Sequence, residues 1–179
     1  IEEDYHKFDQ RRAEATPSLK QSIEAFINGR LTLKEFKEKS ELECRRFPYW
    51  GFKNFSGQMQ LNLYSNNLSG SEKENIFKSA VTVPNTEAEA LKKIDAISTY
   101  LAKLREQAEN RKSIPWPNQA YMLSYFWESQ TPSAWPVYYN STKKVLLSMG
   151  FKLDMFDAPG EEYAEFLKII KAIWEIYKM

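Results

Sequence analysis

The sequence predicts an all-α domain, dominantly helical, with ordered loops rich in aromatic residues. Apolar residues recur three or four positions apart in several segments, which is the period of a helix with one buried face. Three segments begin with Ser or Thr and carry Glu three residues later, the capping-box spacing typical of helix starts. No segment alternates polar and apolar residues as a half-buried strand does. We therefore expect residues 1–179 to form a single helical domain.

The N-terminal residues are predicted to form two helices separated by a proline. Residues 1–16 are highly charged and are expected to be a loosely attached helix that is interrupted before Pro17. Proline suits the first turn of a helix, so a second helix is predicted to begin there. Gly29 is expected to end that helix, because glycine readily adopts the left-handed conformation found after helices.

The central helices are predicted from three capping-box pairs, namely Thr32 with Glu35, Ser71 with Glu74, and Thr86 with Glu89. The first pair predicts a short charged helix that runs to about Arg45. An ordered aromatic loop is expected over residues 47–57, leading into a helix over Gln58–Tyr64. The third pair opens the most clearly predicted helix, over about Glu87–Glu109.

The C-terminal third is predicted to hold three more helices. A proline-bracketed linker over 111–117 precedes a helix over 119–130, which is apolar almost all round and is therefore expected to be central. The segment 135–139 is too short and too rich in proline to predict a strand. Ser141 is expected to cap the next helix, and Pro159 is expected to open the last, amphipathic one.

The composition limits the classes of function. Lys plus Arg number 25 and Asp plus Glu number 24, giving a net charge of +1, which gives no support to broad phosphate-driven binding. One cysteine and one histidine exclude an internal disulfide and a zinc site made of Cys and His. A reducing cytoplasm is the expected location. No apolar run approaches the ~20 residues that cross a bilayer. Because the chain begins with Ile1, we interpret it as a fragment of a longer protein.

No recognisable catalytic site is present in the sequence. No Gly-Lys-Ser/Thr motif offers a phosphate loop, and His6 lies in the charged N-terminal end where a catalytic base is not expected. Cys44 is interpreted as a buried core thiol. The best acidic cluster for a hard metal ion is Asp154, Asp157, Glu161 and Glu162, which we interpret as a loop followed by an acidic helix start. We therefore predict no catalytic residue, no metal ligand and no cofactor.

The aromatic segments and the basic pairs beside them are the candidate binding surface. Most of these aromatic residues are expected to be core packing. Under a nucleic-acid hypothesis, cations would contact phosphates and a few aromatic rings would stack on bases. The candidate phosphate contacts are Arg45, Arg46, Lys53, Arg111, Lys112, Lys143 and Lys144. The candidate stacking groups are Trp50, Phe52, Trp116 and Tyr139.

Three stretches carry a resemblance to a known family. They are Gly29–Phe36, Trp50–Met59 and Trp135–Tyr139. Together they resemble a helical region found before the AAA+ motor in some McrB-type restriction proteins. The chain departs from the motor itself, since it has no Walker motif and no nuclease motif. It is therefore similar only to the N-terminal accessory region.

The resemblance implies a defence context and several partners. In that family the downstream motor hydrolyses a nucleoside triphosphate, commonly GTP, a separate subunit supplies the nuclease, and the variable N-terminal region often recognises DNA. The first hypothesis is accordingly a non-catalytic DNA-recognition domain. The alternative is a protein–protein interaction domain, an adaptor in the same kind of assembly. An enzyme with an unfamiliar site is a third hypothesis, for which the sequence offers no set of residues.

Overall fold

The computed structural model describes residues 2–46, 52, 56–68, 70–153 and 155–177, and for residues 2–9 and 12 it describes the backbone alone. Within these ranges the chain forms eight α-helices, one turn of 3-10 helix over Arg111–Ser113, and no β-strand. The all-α prediction is confirmed. The helices are α1 (Glu2–Ile27), α2 (Leu33–Arg46), α3 (Gln58–Asn67), α4 (Ser71–Val81), α5 (Glu87–Gln107), α6 (Ala120–Gln130), α7 (Asn140–Ser148) and α8 (Pro159–Tyr177).

Helix α6 is the centre of the fold, as its all-round apolar sequence predicts. Ten of its eleven residues are buried, and it packs against α1, α4 and α8. Its polar groups are used internally. The Trp127 indole N–H donates to the Ala80 carbonyl at 3.0 Å, and the Gln130 amide donates to the Val81 carbonyl at 2.9 Å. These two bonds tie the end of α4 to α6, because carbonyls in a last helical turn lack a partner within their own helix.

The predicted interruption before Pro17 is wrong, because α1 is helical on both sides of the proline. An interior proline removes one helical hydrogen bond and costs about 3 kcal/mol. Pro17 is exposed, so its ring meets solvent rather than the core. Ala15, Leu19 and Ile23 are buried on both sides of it, and this shared buried face holds the two halves in one helix.

The end of α1 and the start of α2 follow the predicted signals. Gly29 has φ +72°, and its N–H donates to the Phe26 carbonyl at 3.0 Å, which confirms it as the residue after the helix end. Thr32 and Glu35 form the complete capping box. The Thr32 N–H donates to the Glu35 carboxylate at 2.8 Å, and the Glu35 N–H donates to the Thr32 hydroxyl at 3.2 Å.

The other predicted caps are only partly confirmed. Thr86 accepts the Glu89 N–H at 3.1 Å, but the Glu89 carboxylate binds Asn85 instead of closing the box. Ser71 is already the first residue of α4, whose N-cap is a glycine with no capping side chain, so the predicted capping box there is wrong. Ser141 likewise lies inside α7, because that helix begins at Asn140, one residue before the predicted cap itself.

Helices α5 and α8 pack along each other in opposite directions. The Gly160 N–H donates to the Asp95 carboxylate at 2.7 Å, so α8 begins beside the middle of α5. The Lys171 ammonium lies 2.5 Å from the Glu87 carboxylate, so α8 runs towards the start of α5. The predicted opening of α8 at Pro159 is confirmed. Among the described residues, no helix has both the length and the apolar character needed to cross a bilayer.

Candidate nucleic-acid interface

Trp116 lies at the surface on a fixed backbone. Its residue surface is 43% exposed, and Pro115 and Pro117 restrict the chain on either side. The Trp116 N–H donates to the Gln60 side-chain oxygen at 2.7 Å, and its carbonyl accepts from the Gln119 amide. Gln60 and Gln119 are each 1% exposed. Two buried amide side chains therefore hold the backbone while the indole remains accessible.

Two cations precede this loop on the 3-10 turn. The side chain of Asn110 accepts the Lys112 N–H at 3.1 Å and caps the turn. The Arg105 guanidinium donates to the Ile114 carbonyl at 2.7 Å, which ties the linker to the end of α5. Arg111 and Lys112 are exposed and form no ion pair with an acidic residue in the described ranges. We call Arg111, Lys112 and Trp116 together the Trp116 edge.

Phe52 is a core residue, and its prediction as a stacking group is wrong. It is 0% exposed, with its ring centroid 4.9 Å from that of Tyr125 and 5.1 Å from that of Phe126. A ring of this size contributes more to stability in the core than at the surface, since aromatic side chains bury about 150–250 Å² each. The Phe52 ring could stack on a base only if it left its packing position against Tyr125 and Phe126 of α6.

Lys143, a predicted phosphate contact, takes part in an internal network with Tyr138 and Glu162. The Lys143 ammonium and the Tyr138 hydroxyl both donate to the same carboxylate oxygen of Glu162. Glu162 is only 8% exposed, so removing either donor would leave a poorly compensated buried charge. Sequence reasoning missed this network, because its members lie 5 and 19 residues apart and match no motif.

The Tyr138 phenol serves this network as a hydrogen-bond donor. Burial, followed by the hydrogen bond to Glu162, raises the pKa of Tyr138 well above its usual value, so the phenol stays protonated. Glu162 lies on α8, Lys143 on α7, and Tyr138 in the segment before α7. The two hydrogen bonds to Glu162 therefore hold α7 and the segment before it against α8.

The remaining candidates are divided among separate elements. Arg45 is exposed and pairs with Glu41 at 2.6 Å, a surface pair one helical turn apart that contributes about 0.3–0.5 kcal/mol and would yield readily to a phosphate. Arg46 is exposed at the end of α2, and Lys144 is exposed on α7. Tyr139 is half-buried, with its ring 5.5 Å from that of Tyr121.

Some predicted residues lie outside the described ranges. They are Trp50 and Lys53 of the candidate interface and Asp154 of the acidic cluster. In the described part of the chain no group of three His, Cys, Asp or Glu side chains is placed to hold a metal ion. Cys44 is 4% exposed and its thiol lies 3.7 Å from the Gln58 side-chain oxygen, so its interpretation as a core thiol is confirmed.

Comparisons with known proteins identify no relative of this chain. No protein-family model matches the chain, and no curated protein or solved structure matches it significantly.

Proposed function

We propose that this chain is a non-catalytic recognition domain that binds DNA through the Trp116 edge. The observation that carries the proposal is Trp116 itself, a tryptophan 43% exposed on a backbone held by two buried glutamines. A large aromatic ring left in solvent and held in position is suited to stacking, since base–aromatic stacking contributes about 1–3 kcal/mol per base.

The charges beside the indole support a nucleic-acid ligand. Arg111 and Lys112 are exposed and have no acidic partner among the described residues, so they are free to contact phosphates. Two phosphate contacts predict a shallow salt dependence, with a slope of log K against log salt of about −1.4 for single strands and −1.8 for duplex. The net charge of +1 agrees with such weak electrostatics.

The wider setting of the proposal rests on the sequence resemblance. We place the domain in the cytoplasm, in the accessory region of a McrB-type AAA+ restriction or defence protein. A downstream motor and a nuclease subunit would then supply the chemistry, and this domain would select the target.

The experiment is a fluorescence-anisotropy titration with labelled duplex and single-stranded DNA, modified and unmodified, at two salt concentrations. The double variant Arg111→Glu/Lys112→Glu is compared with Lys20→Glu/Lys152→Glu, which reverses two exposed cations elsewhere. We expect at least tenfold weaker binding for the first variant and less than threefold for the second, because contact charges matter more than net charge. Equal losses in both variants, or no binding of the unmodified chain, would contradict the proposal.

A second candidate function is protein docking through α7 and the residues after it. Four large apolar side chains are exposed there, namely Val145 (56%), Met149 (64%), Phe151 (37%) and Met155 (68%). Large exposed apolar side chains that lie close together in the sequence favour a protein partner. The two functions are separated by the titration above, since docking through α7 predicts no affinity for any oligonucleotide. It also predicts that Val145→Glu/Met149→Glu abolishes binding of a partner subunit while leaving any DNA affinity unchanged.

A further inference from the structure

A small polar cleft lies between α1 and α2, apart from the Trp116 edge. It has a volume of about 260 Å³ and is lined by Gln21, Ser22, Ala25, Arg30, Leu31 and Lys39. The first three residues come from the last turns of α1, the next two from the connection after Gly29, and the last from α2. We call it the Arg30–Lys39 cleft.

The cleft is lined by two cations and by no carboxylate. Arg30 forms no ion pair with any acidic residue in the described ranges. Lys39 is attracted by Glu35, one helical turn before it, but the Glu35 carboxylate is already bound by Thr32. The local charge of the cleft is therefore positive although the whole chain is nearly neutral.

The polar groups of the cleft include a buried serine. Ser22 is 8% exposed, and it lines the cleft beside Gln21. The Ala25 carbonyl already accepts the Arg30 N–H at 2.8 Å and the Leu31 N–H at 3.2 Å. The cleft thus offers the cationic donors of Arg30 and Lys39, while this carbonyl is occupied. A ligand rich in acceptors would satisfy it better than a cation would.

We propose that the Arg30–Lys39 cleft binds a phosphoryl group. The Arg30 guanidinium supplies paired donors, Lys39 supplies a compact positive charge, and Ser22 donates one hydroxyl hydrogen bond to the same oxyanion. The phosphoryl group belongs either to inorganic phosphate and small phosphate esters or to a nucleic-acid backbone. The site lies on other elements than the Trp116 edge and does not depend on the function proposed for that edge.

The first test is an NMR titration of the whole chain with inorganic phosphate at constant ionic strength, balanced with chloride. We expect saturable shifts at the amides of Ser22 and Arg30 and at the Arg30 guanidinium. Arg30→Gln and Lys39→Gln should each weaken binding about tenfold, the loss of one charge-assisted contact. Ser22→Ala should weaken it about threefold.

The matched controls are Lys20→Gln and Lys34→Gln, which remove exposed cations from the same two helices outside the cleft. Both should leave phosphate binding within about twofold of the unmodified chain.

A second arm repeats the titration with a short oligothymidylate lacking terminal phosphates. Binding of inorganic phosphate that only the cleft variants weaken assigns a phosphate-ester ligand.

Binding of the oligonucleotide alone, weakened by the cleft variants, assigns a backbone phosphate instead. The proposal is overturned if neither probe shifts the cleft residues. It is also overturned if the control variants weaken binding as much as the cleft variants do, because the effect would then be general charge.

Discussion

Two short segments on either side of α6 each place a tryptophan next to proline, and the two tryptophans differ in exposure. Residues 114–118 precede α6, and residues 135–139 follow it. In the first segment, Trp116 is 43% exposed. In the second, Trp135 and Tyr138 are 8% and 4% exposed and belong to the core.

The difference follows from what holds each backbone. Trp116 is fixed through its main-chain N–H and carbonyl by buried glutamines, so its ring is not needed for packing. In the second segment the chain returns along α6, where the Tyr138 N–H donates to the Ser124 hydroxyl at 2.9 Å. That path places the Trp135 ring 5.9 Å from that of Trp127. An aromatic residue is thus available for a ligand only when other groups anchor its backbone.

The largest expected effect is on the buried segment. Trp135→Ala removes a ring from the Trp127 contact and should lower the free energy of unfolding by about 3–5 kcal/mol, the cost of losing a buried tryptophan. Urea denaturation measures the change. Trp174→Ala, at a 38% exposed position on α8, is the control and should cost much less. Similar losses in the two variants would show that Trp135 is not core.

A smaller effect is expected when only the hydroxyl of Tyr138 is removed. Tyr138→Phe keeps the ring packed 4.8 Å from that of Phe166 but takes one donor from the buried Glu162 carboxylate. Hydrogen bonds to charged groups contribute about 1.5–3 kcal/mol, and we expect a loss of that size in the free energy of unfolding. The same change at Tyr177, which is 86% exposed, should have no measurable effect.

The anchoring of the exposed segment is tested at Gln60. Gln60→Met keeps the side-chain volume but leaves the Trp116 N–H without its acceptor, which should cost about 1 kcal/mol in the free energy of unfolding. Hydrogen exchange at the Trp116 amide should accelerate. An unchanged exchange rate would mean that Gln60 does not hold the loop.

A pH effect is expected from Glu128, whose carboxylate accepts the Ser133 N–H at 2.9 Å and the Trp135 N–H. Burial nonetheless raises the pKa of Glu128 above its ordinary value of 4.5. A raised pKa in the folded state means that this group's stabilising contribution is complete below the unfolded pKa and declines as pH rises through the folded pKa. Glu128→Gln should remove that decline. Urea midpoints of both proteins across pH 4–7 would check it, and parallel profiles would contradict it.

The sequence predicts the helices better than it predicts the exposed residues. Period and capping signals are local, so α5, α6 and α8 and the cap at Thr32 are recovered to within a few residues. The backbone position of Trp116 depends on a hydrogen bond to Gln60, 56 residues earlier. The position of the Lys143 ammonium depends on Glu162, 19 residues later. Such long-range pairings leave no local pattern in the sequence. For this reason the sequence predicts both Trp116 and Phe52 as stacking groups, although only Trp116 is exposed.

The most direct test of the function assigned to the Trp116 edge measures both the stability and the DNA affinity of one variant, Trp116→Ala. Trp116→Ala should lower the free energy of unfolding by clearly less than Trp135→Ala does, because 43% of the Trp116 surface is already exposed to solvent. In fluorescence anisotropy it should weaken DNA binding by 1–3 kcal/mol, or roughly 5- to 150-fold, the loss of one stacked base. Trp174→Ala should bind as the unmodified chain does. Unchanged DNA affinity in Trp116→Ala would contradict the account.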